Sequence, residues 1–289
     1  MVRQFENAAA WTFLGPFFLI YLVFTVVPVF QAFWMSLFDW DLLSIQRAFL
    51  GLGNYFEMFT EDTAFWRSLR NTVSFVLLSS PLIIIVGLLL ALGMSGRYGG
   101  WLRTVFFSPY VLSVAVATLV WGFMLNPQQG LLGAAMRFFG LMPLAWLTNP
   151  SLAMHGIVIT TLWWTVGFNM VLFIAGLQDI DGSLYEAATI DGAGSMQQFF
   201  SITLPGLKRT LTLVAILQII ASFQIFGQVY IMTRGGPGGA TRVLIQHIYE
   251  TGFRDFRLGY ASALSVVLFV AMFAASMVQL RLSQRGATT

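Results

Sequence analysis

The residues able to do chemistry in this sequence are few, and their types narrow what that chemistry can be. Of 289 residues, two are histidines, none is cysteine and one, Lys208, is a lysine. Without cysteine there is no disulfide, no haem attachment and no thiolate metal site. His155 and His247 lie far apart in sequence, and neither has an acid and a nucleophile near it along the chain, so a membrane enzyme built on either lacks a visible catalytic set. A phosphate-binding P-loop places Gly before and Ser or Thr after its lysine, so that the amine reaches the phosphates. Lys208 stands between Leu207 and Arg209, so ATP hydrolysis of that kind is excluded for this chain. No catalytic residue and no metal site are expected.

What remains is uncharged. Tyr110, Ser113, Trp163, Trp164, Asn169, Gln218, Gln224 and Gln228 all fall inside long apolar runs. Aromatic faces beside amides and hydroxyls suit a polyhydroxylated neutral ligand. The same groups also serve as hydrogen bonds between membrane helices, and both readings stand at this point. No Asp, Glu, Lys or Arg lies in the middle of an apolar run. Ion-coupled carriers need intramembrane carboxylates or discontinuous helices for their ions, so a secondary carrier is disfavoured.

The elements that must position these groups are membrane spans. Hydrophobic residues make up 57% of the chain and charged ones 9%, with a mean hydropathy of +0.78. Soluble domains carry about 25% charged residues, so the chain is an integral membrane protein. Runs of about 20 apolar residues occur at 11–36, 71–95, 103–125, 152–177, 209–232 and 259–281, giving six spans in one all-α membrane domain over 1–289. The first run is too long for a signal-peptide core and is expected to be retained. Pro16 and Pro28 in the first span and Pro109 in the third predict kinks. The net charge of +3 is too dispersed for nucleic-acid binding. Lys and Arg divide seven to eight between the side holding both termini and the opposite side. Their density beside the spans, as in Arg97/Arg103 and Lys208/Arg209, favours cytoplasmic termini.

One connection is unlike the rest. Residues 183–205, SLYEAATIDGAGSMQQFFSITLP, are small and polar, with two capping-box spacings, Ser183 to Glu186 and Ser195 to Gln198. Gly192 suits the left-handed closure of a first short helix, and Pro205 is expected to end the second. Ala187 and Ala188 offer a surface for close approach, while Leu184, Phe199 and Phe200 need cover. Lipid-surface helices are usually rich in Lys or Arg. Here the charges are Glu186 and Asp191, so a protein partner is expected.

Glu186-Ala187-Ala188, Asp191-Gly192-Ala193 and Ile202-Thr203-Leu204-Pro205 resemble the EAA loop of binding-protein-dependent ABC importer permeases. Gly51-Leu52-Gly53-Asn54-Tyr55, Asn71-Thr72, Arg103-Thr104 with Pro109-Tyr110, and Thr233-x-Gly235-Gly236-Pro237 are similar to further motifs of the carbohydrate-type, maltose and glycerol-3-phosphate permeases. The resemblance implies the type I ABC importer permease fold, six transmembrane helices with a cytoplasmic EAA coupling helix. It implies ATPase docking through Tyr185, Glu186, Ala187, Ala188, Asp191, Gly192 and Phe199. It places the substrate pathway at Tyr110, Ser113, Trp163, Gly167, Asn169, Gln224, Phe226 and Gln228. The implied partners are a second homologous permease chain, two ATPase subunits that carry the ATP and Mg, and an extracytoplasmic solute-binding protein meeting the 37–70 and 233–258 connections. The implied substrate is a sugar or polyol, or in the alternative glycerol-3-phosphate or a glycerophosphodiester. The implied location is the bacterial cytoplasmic (inner) membrane, with no cofactor bound by this chain itself.

Overall fold

The computed structural model describes residues 14–41, 43, 47–94 and 99–285, with side chains as far as 281. The first three residues of the expected first span, Arg3, Arg97 and the side chain of Arg285 lie outside the described residues. In chain order the elements are α1 (Leu14–Met35), β1 (Phe38–Asp39), β2 (Ala48–Phe49), α2 (Gly53–Thr60), α3 (Thr63–Gly93), α4 (Gly99–Val111), α5 (Val114–Met124) and α6 (Leu131–Phe138). Then come α7 (Ala153–Gln178), α8 (Gly182–Ile190), α9 (Ser195–Gly206), α10 (Lys208–Phe223), α11 (Gly227–Met232), α12 (Leu244–Tyr249) and α13 (Leu258–Arg285).

Four helices, α1, α3, α7 and α13, are each long and apolar enough to cross a membrane unbroken. The expected third and fifth spans are broken. Between α4 and α5 the chain bends by 100°. The expected 209–232 span is α10 followed, after a break at 224–226, by α11. α9 also joins α10 through a 66° bend.

The third span breaks just after its proline, not at it: α4 continues past Pro109 to Val111. The ring removes the donor that would pair with the Val105 carbonyl, and the Ser108 hydroxyl donates to that carbonyl instead, at 2.9 Å. The break comes later, where Ser113 turns extended and its Oγ accepts from the Val116 amide at 3.4 Å, capping α5. Pro205 does not end its helix either, because α9 continues to Gly206. A π turn at Phe199–Thr203 immediately precedes it, and another at Leu22–Val26 precedes Pro28. A widened turn removes the tight carbonyl that a proline ring would otherwise strike.

The chain groups into two compact units. The first comprises the residues up to Phe65 with His247–Val270. Its centre is a clasp around the β1–β2 hairpin, in which Phe38 pairs with Phe49 and Asp39 with Ala48. Gly51, at φ +57°, turns the chain out of β2. Asn54 Nδ2 then donates to the carbonyls of Ser36 and Phe38 at 2.8 and 3.0 Å, and Tyr55 donates to Ser36 Oγ at 2.8 Å. The Gly51–Tyr55 motif is thus a device for anchoring the hairpin to α2. Arg257 makes a bidentate pair with Glu57 at 2.8 and 2.7 Å.

Asp62 is the hub of this unit. One carboxylate oxygen caps α3, accepting from the Ala64 and Phe65 amides. The other accepts from Tyr260 at 2.7 Å and meets His247 Nε2 at 2.8 Å. His247 therefore does have an acid and a hydroxyl group beside it, contrary to the expectation from sequence. They lie 185 and 13 residues away along the chain, and the Asp62 oxygen that would serve as acid is shared by His247 and Tyr260 in a structural knot.

The second unit comprises Trp66–Gln246 and Ala271 onward, and α7 is its axis. One apolar layer joins Phe75, Met154, Ile157, Val158, Ile225, Val229 and Val243. A second joins Ala91, Met94, Met170, Phe173, Ile174 and Val214. Gly167 brings α7 against α4, where any Cβ would strike the Phe106 carbonyl. Asn71 and the loop that follows the Gly235–Gly236–Pro237 motif, far apart in sequence, meet here. Asn71 Nδ2 donates to the carbonyls of Gly239 and Arg242, both at 2.9 Å, while Thr72 Oγ1 accepts the Leu244 amide at 2.8 Å.

Candidate functional site

Two places in the second unit gather the residues singled out from sequence. The first is a cavity of about 330 Å³ walled by α3, α4, α7, α10, the 224–226 break and the start of α11. Tyr110, Trp164 and Phe168 give it an aromatic side; Tyr110 and Phe168 stack with centroids 4.9 Å apart and planes 16° from parallel. Thr161, Thr165, Asn169, Gln218, Ser222, Gln224 and Gln228 supply hydroxyls and amides. None of the lining residues is charged.

Its floor is a hydrogen-bonded chain. Asn169 Nδ2 donates to Gln218 Oε1 at 3.0 Å, Gln218 Nε2 donates to Ser222 Oγ at 3.0 Å, and Ser80 Oγ donates to the same hydroxyl at 3.0 Å. All four side chains are buried. Buried polar groups left unpaired cost about 1–3 kcal/mol each, so this chain fixes α3, α7 and α10 to one another while facing amides into the cavity. The interhelical hydrogen-bonding reading of the neutral polar residues thus holds for Asn169 and Gln218. Trp164 Nε1 donates to the Leu112 carbonyl at 3.1 Å, satisfying a backbone group opened by the α4–α5 break.

Of the eight pathway positions, Tyr110, Asn169, Gln224 and Gln228 line this cavity. The other four do not line it. Ser113 is the cap of α5. Trp163 turns away and packs edge-on against Trp121, centroids 5.9 Å apart. Gly167 is spent on the approach to α4, and Phe226 stacks on Tyr230 at 5.2 Å. The neighbouring Trp164 does line the cavity. Thr161, Thr165, Phe168 and Ser222 were not foreseen; their spacing of three or four along α7 and from Gln218 along α10 is the signal that could have found them.

The second place is α8–α9. The first capping box does not form as expected: Asp181, not Ser183, caps α8, its Oδ1 accepting the Ser183 amide at 2.9 Å. A carboxylate is the stronger acceptor at a helix N-terminus. These hydrogen bonds from the Ser183 amide and hydroxyl hold the Asp181 carboxyl below its ordinary range. Gly192 closes α8 at φ +82°, with the Gly192 amide on Thr189 O at 3.1 Å and the Ala193 amide on Ala188 O at 2.8 Å. The second capping box is absent as well. Gln198 reaches back to Thr189 Oγ1 at 3.0 Å and the Ala193 carbonyl at 3.2 Å, tying α9 to α8. Tyr185 adds a second tie through its hydroxyl to Thr203 Oγ1 at 2.9 Å.

These ties turn one face outward. Leu184, Glu186, Ala187, Asp191, Gly192 and Phe200 are exposed, together with Ile190 at 87% and Met196 at 70%. Tyr185, Ala188 and Phe199 are half-buried; Phe199 packs edge-on against Phe200 at 5.0 Å. The second unit thus carries an uncharged cavity and an elbow that is capped at Asp181, closed at Gly192 and lined outside with large apolar side chains.

The model of the family described as "Binding-protein-dependent transport system inner membrane component" matches residues 66–286. The chain belongs to that family of ABC importer permeases. The permease is 36% identical to the "Probable ABC transporter permease protein YurN" of Bacillus subtilis, over 99% of each chain. It is also 36% identical to the "Trehalose/maltose transport system permease protein MalF" of Thermococcus litoralis, covering 96% of this chain and 95% of that one. It is 34% identical to the "sn-glycerol-3-phosphate transport system permease protein UgpA" of Agrobacterium fabrum, over 94% and 93%. In fold, the permease is similar to a chain of a bacterial ABC transporter involved in the import of the acidic polysaccharide alginate, with a TM-score of 0.81 at 21% identity over 98% and 99% of the two chains. The permease is therefore a multi-pass inner-membrane transport subunit of the type I importer fold.

Proposed function

We propose that this permease forms half of the pathway for a sugar or related polyol, with the cavity beside α7 as its substrate contact. The observation that carries the reading is the lining: aromatic faces of Tyr110, Trp164 and Phe168 opposite neutral amides and hydroxyls, with no charge among them. Sugar rings bind through stacking and many neutral hydrogen bonds. A phosphate ester would enter this cavity without a cationic partner on this chain. The trehalose/maltose relative supports the sugar reading.

The remaining half of the pathway would come from a second homologous permease chain, and substrate from a solute-binding protein on the extracytoplasmic side. The α8–α9 elbow would face the cytoplasm with both termini and seat an ATPase subunit. Exposed Glu186 and Asp191 would meet basic groups there, and Leu184, Ile190, Met196 and Phe200 would fill its cleft. In this arrangement Tyr185 acts from behind, as a brace. ATP and Mg would reside on the two ATPase subunits, and their closure would be carried through the elbow to the spans.

The test is uptake by the importer reconstituted with its ATPase and binding protein, with neutral saccharides and glycerol-3-phosphate offered in parallel. Neutral saccharides are expected to enter with ATP, and Trp164→Ala to reduce their uptake more than tenfold while leaving the subunits assembled. Preferential uptake of the phosphate ester overturns the sugar assignment. Uptake driven by an ion gradient and indifferent to ATP overturns the importer assignment itself.

A further inference from the structure

The connection between α5 and α7 exposes a run of large apolar side chains outside the spans. Phe138, Phe139 and Met142 are exposed at 85%, 75% and 88%, and Leu131 and Leu141 are also open. Residues 126–151 contain one charge, Arg137, and no acidic residue. We infer that residues 131–142 lie in the membrane surface as an interfacial anchor, their apolar side chains seated in lipid at the headgroup boundary.

Placement argues for lipid over water. Asn126 Oδ1 accepts from the Gln128 and Gln129 amides at 2.9 and 3.1 Å, folding the chain back directly after the end of α5. Gly130 and Gly133 then press α6 onto that turn: a Cβ at Gly130 would crowd the carbonyls of Phe123, Met124 and Asn126, and one at Gly133 would crowd that of Pro127. Arg137 is turned to the same base, donating to the carbonyls of Pro127 and Gln128 at 2.7 and 3.0 Å. At the other end Leu147 and Trp146 pack over Gly156 in the first turn of α7, within 3.2 and 3.7 Å of where its Cβ would lie. Both feet of the connection therefore stand on the ends of membrane helices, and α6 is held against that boundary. In α5, to which the connection is joined, Leu119 and Phe123 are likewise exposed.

Surface helices that must find a membrane from solution are rich in Lys and Arg. A segment tethered at both ends by spans needs no such recruitment, and unlike 183–205 with its Glu186 and Asp191 this one carries no acidic residue that an anionic headgroup region would repel. Contiguous exposed apolar patches mark membrane or protein contacts, and continuity with the spans selects the membrane. Such a segment sits about 5–10 Å deep in the headgroup and acyl boundary.

The absence of native cysteine makes the test direct. Phe139→Cys and Met142→Cys variants, each labelled with bimane, are reconstituted with the partner subunits of the importer in phosphatidylethanolamine–phosphatidylglycerol vesicles. Emission is then quenched either by lipid carrying a nitroxide near the glycerol or by aqueous iodide. The inference expects lipid nitroxide to quench severalfold more than iodide at both positions. Quenching by iodide with little from lipid makes the segment a solvent loop and overturns it. Protection from both quenchers places a protein subunit over the segment and equally overturns it.

Discussion

Replacing Gly192 with alanine tests the left-handed turn of the elbow. The residue sits at φ +82°, and a Cβ there would meet nothing within 4 Å, so the whole penalty is conformational. An L-residue held left-handed costs about 1–2 kcal/mol. Opposing it are the ties from Gln198 to Thr189 and Ala193 and from Tyr185 to Thr203, each worth about 0.5–1.5 kcal/mol net. α8 has 9 residues, short of the roughly 12–15 at which helices become even marginal alone, so these ties carry it. A penalty about as large as one or two of them raises the open fraction of the turn about 5–30-fold. Hydrogen exchange at residues 192 and 193 reads this directly, because their amides close the helix on Thr189 and Ala188. Gly192→Asn should fall between, since Asn tolerates the left-handed region. Gly194→Ala should leave exchange unchanged, since its φ of −73° is ordinary and its Cβ is also unobstructed. Equal acceleration in Gly192→Ala and Gly194→Ala would refute the reasoning.

Asp62 sets an acid limit on the first unit. Burial pushes its carboxyl up, but the hydrogen bonds from Tyr260, His247 and the Phe65 amide outweigh burial and hold it below the ordinary 3.8. Its stabilisation is thus fully present above that value and is lost as pH falls through the folded one, so thermal scans should show destabilisation setting in below about pH 4; Asp62→Asn should flatten that limb and cost about 1–3 kcal/mol at neutral pH. A native chain with no acid limb contradicts the assignment. Gly167→Val would collide with the Phe106 carbonyl and the Phe107 backbone, at about 1–3 kcal/mol or more. The yield of folded chain should fall, while Gly122→Val, with open space around it, should express normally; equal yields would count against the close α4–α7 approach.

The spans were legible because crossing a bilayer demands length and apolarity, and both are written locally. Their breaks were less so. Pro109 marked the third span as bent, yet Ser108 repairs that carbonyl, and the bend falls where Ser113 can cap. Around α7, near-uniform apolarity removes the periodicity that would show which side faces the cavity, so Trp163 and Trp164 could not be told apart. In 183–205 the glycine closure was readable from its one conformational requirement. The caps were misread because Asp181 lies two residues ahead of Ser183 and competes for the same amides, and because Gln198 has a better use across the turn. The Asp62–His247–Tyr260 knot joins groups that only the fold brings together.

The wide turn at Phe199–Thr203 is what a helix becomes when it holds one residue more than its ladder needs. At 3.6 residues per turn that residue is worth about 100° of rotation. A one-residue deletion inside the wide turn would restore the ordinary ladder and keep the aim of α8, whereas one in the regular turns on either side would swing it to a different quarter of the compass. The spacing between α8 and Lys208 is therefore an angular setting with one tolerant place, and a gap that sequence alignments open elsewhere within it describes a change of direction.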